Sequence, residues 1–79
     1  MNSNYDLSFR TIDGIRVASA PINGEADAFR ATIKRWDENA WRLDVSTYGL
    51  PHEDAVRRTL AECKTLARNA YFVIESVNR

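Results

Sequence analysis

The sequence predicts an α+β domain: a four-stranded antiparallel β-meander packed on one amphipathic helix, with a short strand at the C-terminal end. Three observations carry that prediction. Apolar and polar residues alternate with a period of two through the first half of the chain. Turn-forming sequences, Asp13-Gly14, Asn23-Gly24 and Asp37-Glu38-Asn39, separate the alternating segments. In the second half the apolar residues recur every three or four positions, which is a helical stripe.

The first strand places Tyr5, Leu7 and Phe9 on one face and Asp6, Ser8 and Arg10 on the other. Alternation resumes with Ile15 and Val17, and the intervening loop sets how the two strands match. A two-residue Asp13-Gly14 turn would pair Ile12 with Ile15 and put Val17 beside Arg10 on the polar face. A three-residue loop of Ile12, Asp13 and Gly14 pairs Phe9 with Val17 and Thr11 with Ile15 instead. It gathers the large apolar side chains of both strands, Ile12 excepted, on one side, so it is the expected loop. Pro21-Ile22-Asn23-Gly24-Glu25 reads as the next turn. A second hairpin follows, with Phe29, Ala31 and Ile33 facing inward opposite Trp41, Leu43 and Val45.

Gly49-Leu50-Pro51 ends the last of these strands, and Pro51 suits the first position of a helix, with Glu53 and Asp54 in its first turn. Val56, Leu60, Cys63, Ala67 and Ala70 form the apolar stripe, flanked by Leu66. Two readings of the end remain open. A helix over 51–77 would be about 40 Å long, whereas a seven-residue strand spans about 23 Å. The overhang would leave Tyr71 and Phe72 wet. The favoured reading therefore closes the helix at Asn69 and makes Tyr71-Phe72-Val73-Ile74 a short final strand; in the other, Val73 or Ile74 and Val77 continue the stripe.

Residues 1–79 make a single domain, and equal numbers of basic and acidic residues, 11 of each, remove the charge excess that drives non-specific nucleic-acid binding. A hydrophobic fraction of 44% with 28% charged residues is that of a globular chain. No apolar run approaches the roughly 20 residues of a transmembrane helix. The lone Cys63 cannot form an internal disulfide, which points to an intracellular setting. Catalysis finds little support. His52 stands alone at the expected helix start, and Cys63 lies on the apolar stripe as a small hydrophobe. One His and one Cys cannot supply a zinc set, and the scattered glycines form no phosphate loop, so neither metal nor cofactor is expected.

Binding is the better-supported role. The expected solvent face of the sheet carries Arg10 and Arg16 from the first hairpin and Arg30, Lys34, Trp36, Arg42 and Tyr48 from the second. Five of these are basic, against Asp6 and Asp44 on the same strands. Arg, Trp and Tyr dominate protein–protein hot spots; the same set could stack bases and grip phosphates, or keep an exposed face in solution.

The small size, the meander followed by one helix, the lack of a catalytic set and the charge-sorted surface together resemble small phage-encoded anti-CRISPR proteins. The resemblance is one of architecture. It implies a non-catalytic inhibitor that binds a subunit of a bacterial CRISPR effector complex and occludes target-DNA recognition. The alternative is a small nucleic-acid-binding domain, since the meander and helix also resemble double-stranded-RNA-binding and integrase arm-binding domains. Glu53 and Asp54 depart from that pattern, because acids at a helix start repel phosphate. A monomer or a homodimer joined through 71–77 fits either reading.

Overall fold

The computed structural model describes residues 7–77, so the expectations placed on Tyr5 and Asp6 lie outside it. One antiparallel sheet runs in chain order through β1 (Arg10–Ile12), β2 (Ile15–Ile22), β3 (Glu25–Asp37), β4 (Ala40–Thr47) and β5 (Leu50–Arg57), and α1 (Leu60–Val77) packs on one face. The α+β class, the antiparallel meander and the single helix are as the alternation predicts. Phe29, Ile33 and Leu43 are fully buried beneath the helix and Val45 nearly so, as their spacing requires. Buried Ala18, Ala31 and Ala67 keep the layers close, and Tyr71 lays its ring 4.9 Å from that of Phe29.

Three expectations need correction. The first concerns the β1–β2 turn, which is the two-residue Asp13-Gly14 and not the three-residue loop. Ile12 pairs with Ile15, Thr11 with Arg16 and Arg10 with Val17. Both turn residues have positive φ, 53° and 80°, as do Asn23-Gly24 and Tyr48-Gly49 in the next such turns. This handedness matches the right-handed twist of the flanking strands, and Asp-Gly adopts it cheaply. Turn chemistry therefore outweighs the burial of Ile12 and Ile15, which stay 47% and 36% exposed. The slip turns Arg16 onto the helix-bearing face, directly across from Ile33.

The second correction lies at 50–57. Gly49-Leu50-Pro51 does not stop the strands; Tyr48-Gly49 turns the chain back and Leu50–Arg57 becomes a fifth strand on the sheet edge. Pro51, Glu53 and Asp54 sit in that strand and not in a helical first turn. An edge strand tolerates a proline and is shielded from unwanted pairing by charge. Val56 accordingly leaves the helical stripe.

The third correction concerns the helix itself. It starts at Leu60 behind a capping box: the Thr59 hydroxyl accepts from Glu62 N–H at 3.1 Å, and a Glu62 carboxylate oxygen accepts from Thr59 N–H at 3.2 Å. It then runs through Tyr71 and Ile74 to Val77, so 70–77 is helix and not a final strand. With 18 residues the helix is about 27 Å long, close to the roughly 26 Å of an eight-residue strand. Nothing overhangs once the start moves to Leu60. The Tyr71 hydroxyl donates to the Pro21 carbonyl at 2.8 Å and fixes the C-terminal half to the sheet.

Candidate functional site

Strand parity sorts the seven residues expected on the solvent face. Arg30, Thr32, Lys34 and Trp36 alternate along β3 on the side away from the helix. Arg42, Asp44 and Ser46 do the same along β4, where Lys34 faces Arg42, Thr32 faces Asp44 and Arg30 faces Ser46. Arg10, across from Val17, shares this face but sits on the edge strand β1. Arg16 is on the opposite face. Tyr48 is the first residue of the β4–β5 turn, and its side chain borders a hollow with Val73, Ile74 and Val77 at the end of the helix. The structure thus brings Arg30, Lys34, Trp36 and Arg42 together and sets the other three apart.

Arg42 is the fixed point of the group. Its Nε donates to Asp44 Oδ1 at 3.1 Å, its second terminal nitrogen to Asp54 Oδ2 at 2.6 Å, and its guanidinium carbon lies 5.0 Å from the centroid of the Trp36 ring. Lys34 directly opposite would repel an unneutralised Arg42, and the two carboxylates remove that repulsion. Trp36 itself occupies a bulge: Arg35 pairs with Trp41 and Asp37 with Ala40, leaving Trp36 unmatched and half exposed. Bulges re-aim side chains in this way. Arg10, Arg30 and Lys34 form no ion pair with any described carboxylate.

A second register shift, between Val45 and Ser46, bends β5 against β4. The result is a hollow of 530 Å³ on the helix-free face, lined by Arg30, Thr32, Arg42, Asp44, Ser46 and Asp54 among others. Its walls carry guanidinium donors, two hydroxyls and the acids Asp44, Glu53 and Asp54, which suits hydrogen bonding to a side chain inserted from outside.

The candidates for chemistry are placed as follows. Cys63 is fully buried, its thiol donates to the Trp41 carbonyl at 3.7 Å, and burial pushes its pKa up. His52 Nε2 lies 3.8 Å from Glu53 on the edge strand. Among the described residues no three His, Cys, Asp or Glu side chains converge in a way that could hold a metal ion, and no helix is long and apolar enough to cross a membrane.

Sequence reasoning missed one feature of the surface. Trp41, expected inside, is only partly buried, and both Arg16 and Arg35 lie over its ring, at 5.2 and 4.9 Å from the centroid. The Asp13-Gly14 dipeptide was the available signal, because the tight turn it favours is what places Arg16 there. Comparison with protein families, with curated proteins and with solved structures finds no match for this chain.

Proposed function

We propose that the chain is a non-catalytic protein-binding module that docks through the helix-free face of its sheet, with Trp36 and Arg42 as anchors beside Arg30 and Lys34. The observation that carries the reading is the posture of Arg42. Two carboxylates and an indole hold it in one geometry at the rim of a 530 Å³ hollow. An anchor already ordered before association loses little entropy on binding, which is how small rigid scaffolds reach useful affinity. The molecule measures 39 × 28 × 20 Å, so its broad face has room for the roughly 800 Å² per partner of a standard interface.

The partner we propose rests on the resemblance in size and pattern to small anti-CRISPR proteins: a subunit of a bacterial CRISPR effector complex, with inhibition by occlusion. Co-purification with such a complex is the test, with Trp36→Ala, Arg42→Ala and Arg30→Ala compared with the parent. Hot-spot truncation weakens binding by about 30-fold or more per anchor. No retained complex, together with undiminished interference in cells, ends the CRISPR assignment. Binding of any protein partner that survives all three substitutions ends the assignment of the face.

Arg10, Arg30 and Lys34, which pair with no described carboxylate, support the alternative, a nucleic-acid-binding face. A salt titration separates the two, because affinity for DNA or RNA falls steeply with the logarithm of salt concentration. Asp44 and Asp54 within the same face favour the protein partner.

A further inference from the structure

From the geometry around Trp41 we infer a second binding site, on the helix-bearing side of the sheet, that accepts carboxylates of an acidic partner segment between Arg16 and Arg35. It does not depend on the helix-free face, and the two fail separately.

The two guanidinium carbons lie 5.2 and 4.9 Å from one ring centroid, which places them within about 10 Å of each other. Stacking on an indole uses the flat of a guanidinium and leaves its N–H edge free, so the ring orders the cations without satisfying their donors. Arg16 is half-buried, and no described carboxylate or carbonyl accepts from it. Arg35 gives one N–H to the Glu38 carbonyl and retains the rest. The surroundings add positive charge. Arg57 pairs with Trp41 across the β4–β5 ladder, and Lys64 holds its ammonium 5.7 Å from the Phe9 ring.

Of the acids close by, Asp37 accepts from Asn39 N–H and Glu62 closes the capping box with Thr59. Glu38 meets Arg35 through its backbone carbonyl, and among the described residues no ion pair joins its carboxylate to Arg16 or Arg35. Cations held by a ring, with no counter-charge among the described residues, form a preorganised receptor for a planar anion, and a guanidinium fork fits a carboxylate in two-point contact.

Charge balance selects the acidic protein segment over a nucleic acid. A longer polyanion would also meet Glu62, on a chain whose net charge is zero. A segment with two or three carboxylates needs only this local surplus. Arginines already over the indole also compete for the ring face that a base would stack on.

The chain with Trp36→Phe leaves Trp41 as the only tryptophan, so its emission reports this site alone. Hexaglutamate added at low salt is expected to give a saturable change in that emission. Affinity falls about ten-fold in Arg16→Gln and again in Arg35→Gln, is partly kept in Arg16→Lys, and is unchanged in Arg10→Gln on the other face. Circular dichroism confirms that each variant folds. No saturable change, or equal affinity in the Arg16→Gln/Arg35→Gln double variant, overturns the site. Tighter binding of oligothymidylate than of hexaglutamate, lost in the same two variants, overturns the carboxylate assignment.

Discussion

Tyr71 gives the sharpest test of how the helix is seated, because in a helix begun at Pro51 the same residue would overhang the sheet and be solvated. In the structure it is 3% exposed, rests on Phe29 and donates to the Pro21 carbonyl at 2.8 Å. Tyr71→Phe removes the hydroxyl and keeps the ring, so the loss is that of one hydrogen bond to backbone, about 1 kcal/mol. In a domain of this size that lowers Tm by about 4–8 °C. Tyr71→Ala also removes the buried ring and opens a cavity, which costs about 3–5 kcal/mol. A 79-residue chain has only roughly 4–12 kcal/mol of total stability, so this variant is expected to lose a large share of it. Urea unfolding followed by circular dichroism measures both changes, and an unchanged m-value confirms that the unfolded states are comparable. If Tyr71→Ala costs less than about 1 kcal/mol, far below the burial penalty, the helix does not dock through residue 71 and the packing described above is wrong.

The helix start is tested at Thr59. Thr59→Ala removes the side-chain half of the capping box and is expected to cost about 1 kcal/mol, with Thr59→Ser close to neutral; Glu62→Ala should add little once Thr59 is gone, because the two groups act reciprocally. Pro51→Ala, by contrast, changes an edge strand and leaves helix content as it was. Cys63 supplies a pH signature. Burial raises its folded pKa above the unfolded 9.0, so the protonated thiol favours the folded state fully below pH 9 and that contribution is lost as pH rises through and beyond that value. The slope is up to about 1.4 kcal/mol per pH unit, and it should diminish in Cys63→Ala when stability is measured by urea unfolding between neutral and alkaline pH. Native protein at neutral pH is expected to react with a thiol reagent only as fast as it opens.

The elements that were readable from sequence are those whose burial imposes a period. Phe29, Ala31 and Ile33 must point one way and Trp41, Leu43 and Val45 the same way, because the strands carrying them are central and one face is sealed by the helix. β5 shows no such rhythm. It is an edge strand whose residues are all exposed except half-buried Ala55, so Leu50-Pro51-His52-Glu53-Asp54 carries no hydrophobic alternation to read. Local chemistry did mark its limits. Tyr48-Gly49 is a third X-Gly turn like the two before it, and Thr59-x-x-Glu62 is a helix-start signature that outranks a proline followed by two acids. Moving the start from 51 to 60 also dissolves the length objection to a helix reaching Val77, since that objection rested on nine residues that are not helical.

The candidate surface divides in the same way. Arg30, Lys34, Trp36 and Arg42 lie where alternation puts them, but the clamp on Arg42 was invisible, because Asp54 comes from the strand that sequence reading assigned to a helix. Arg16 shows how much one turn residue controls. With Asp13-Gly14 as a two-residue turn, every β2 side chain reverses face relative to a three-residue loop. The reversal takes a cation from the helix-free face and sets it over Trp41. A chain with no net charge therefore carries two separate basic, tryptophan-bearing surfaces. On one, carboxylates hold the arginine in place; on the other, no described carboxylate pairs with the arginines. The two proposals therefore ask shape of a partner at the first surface and charge at the second.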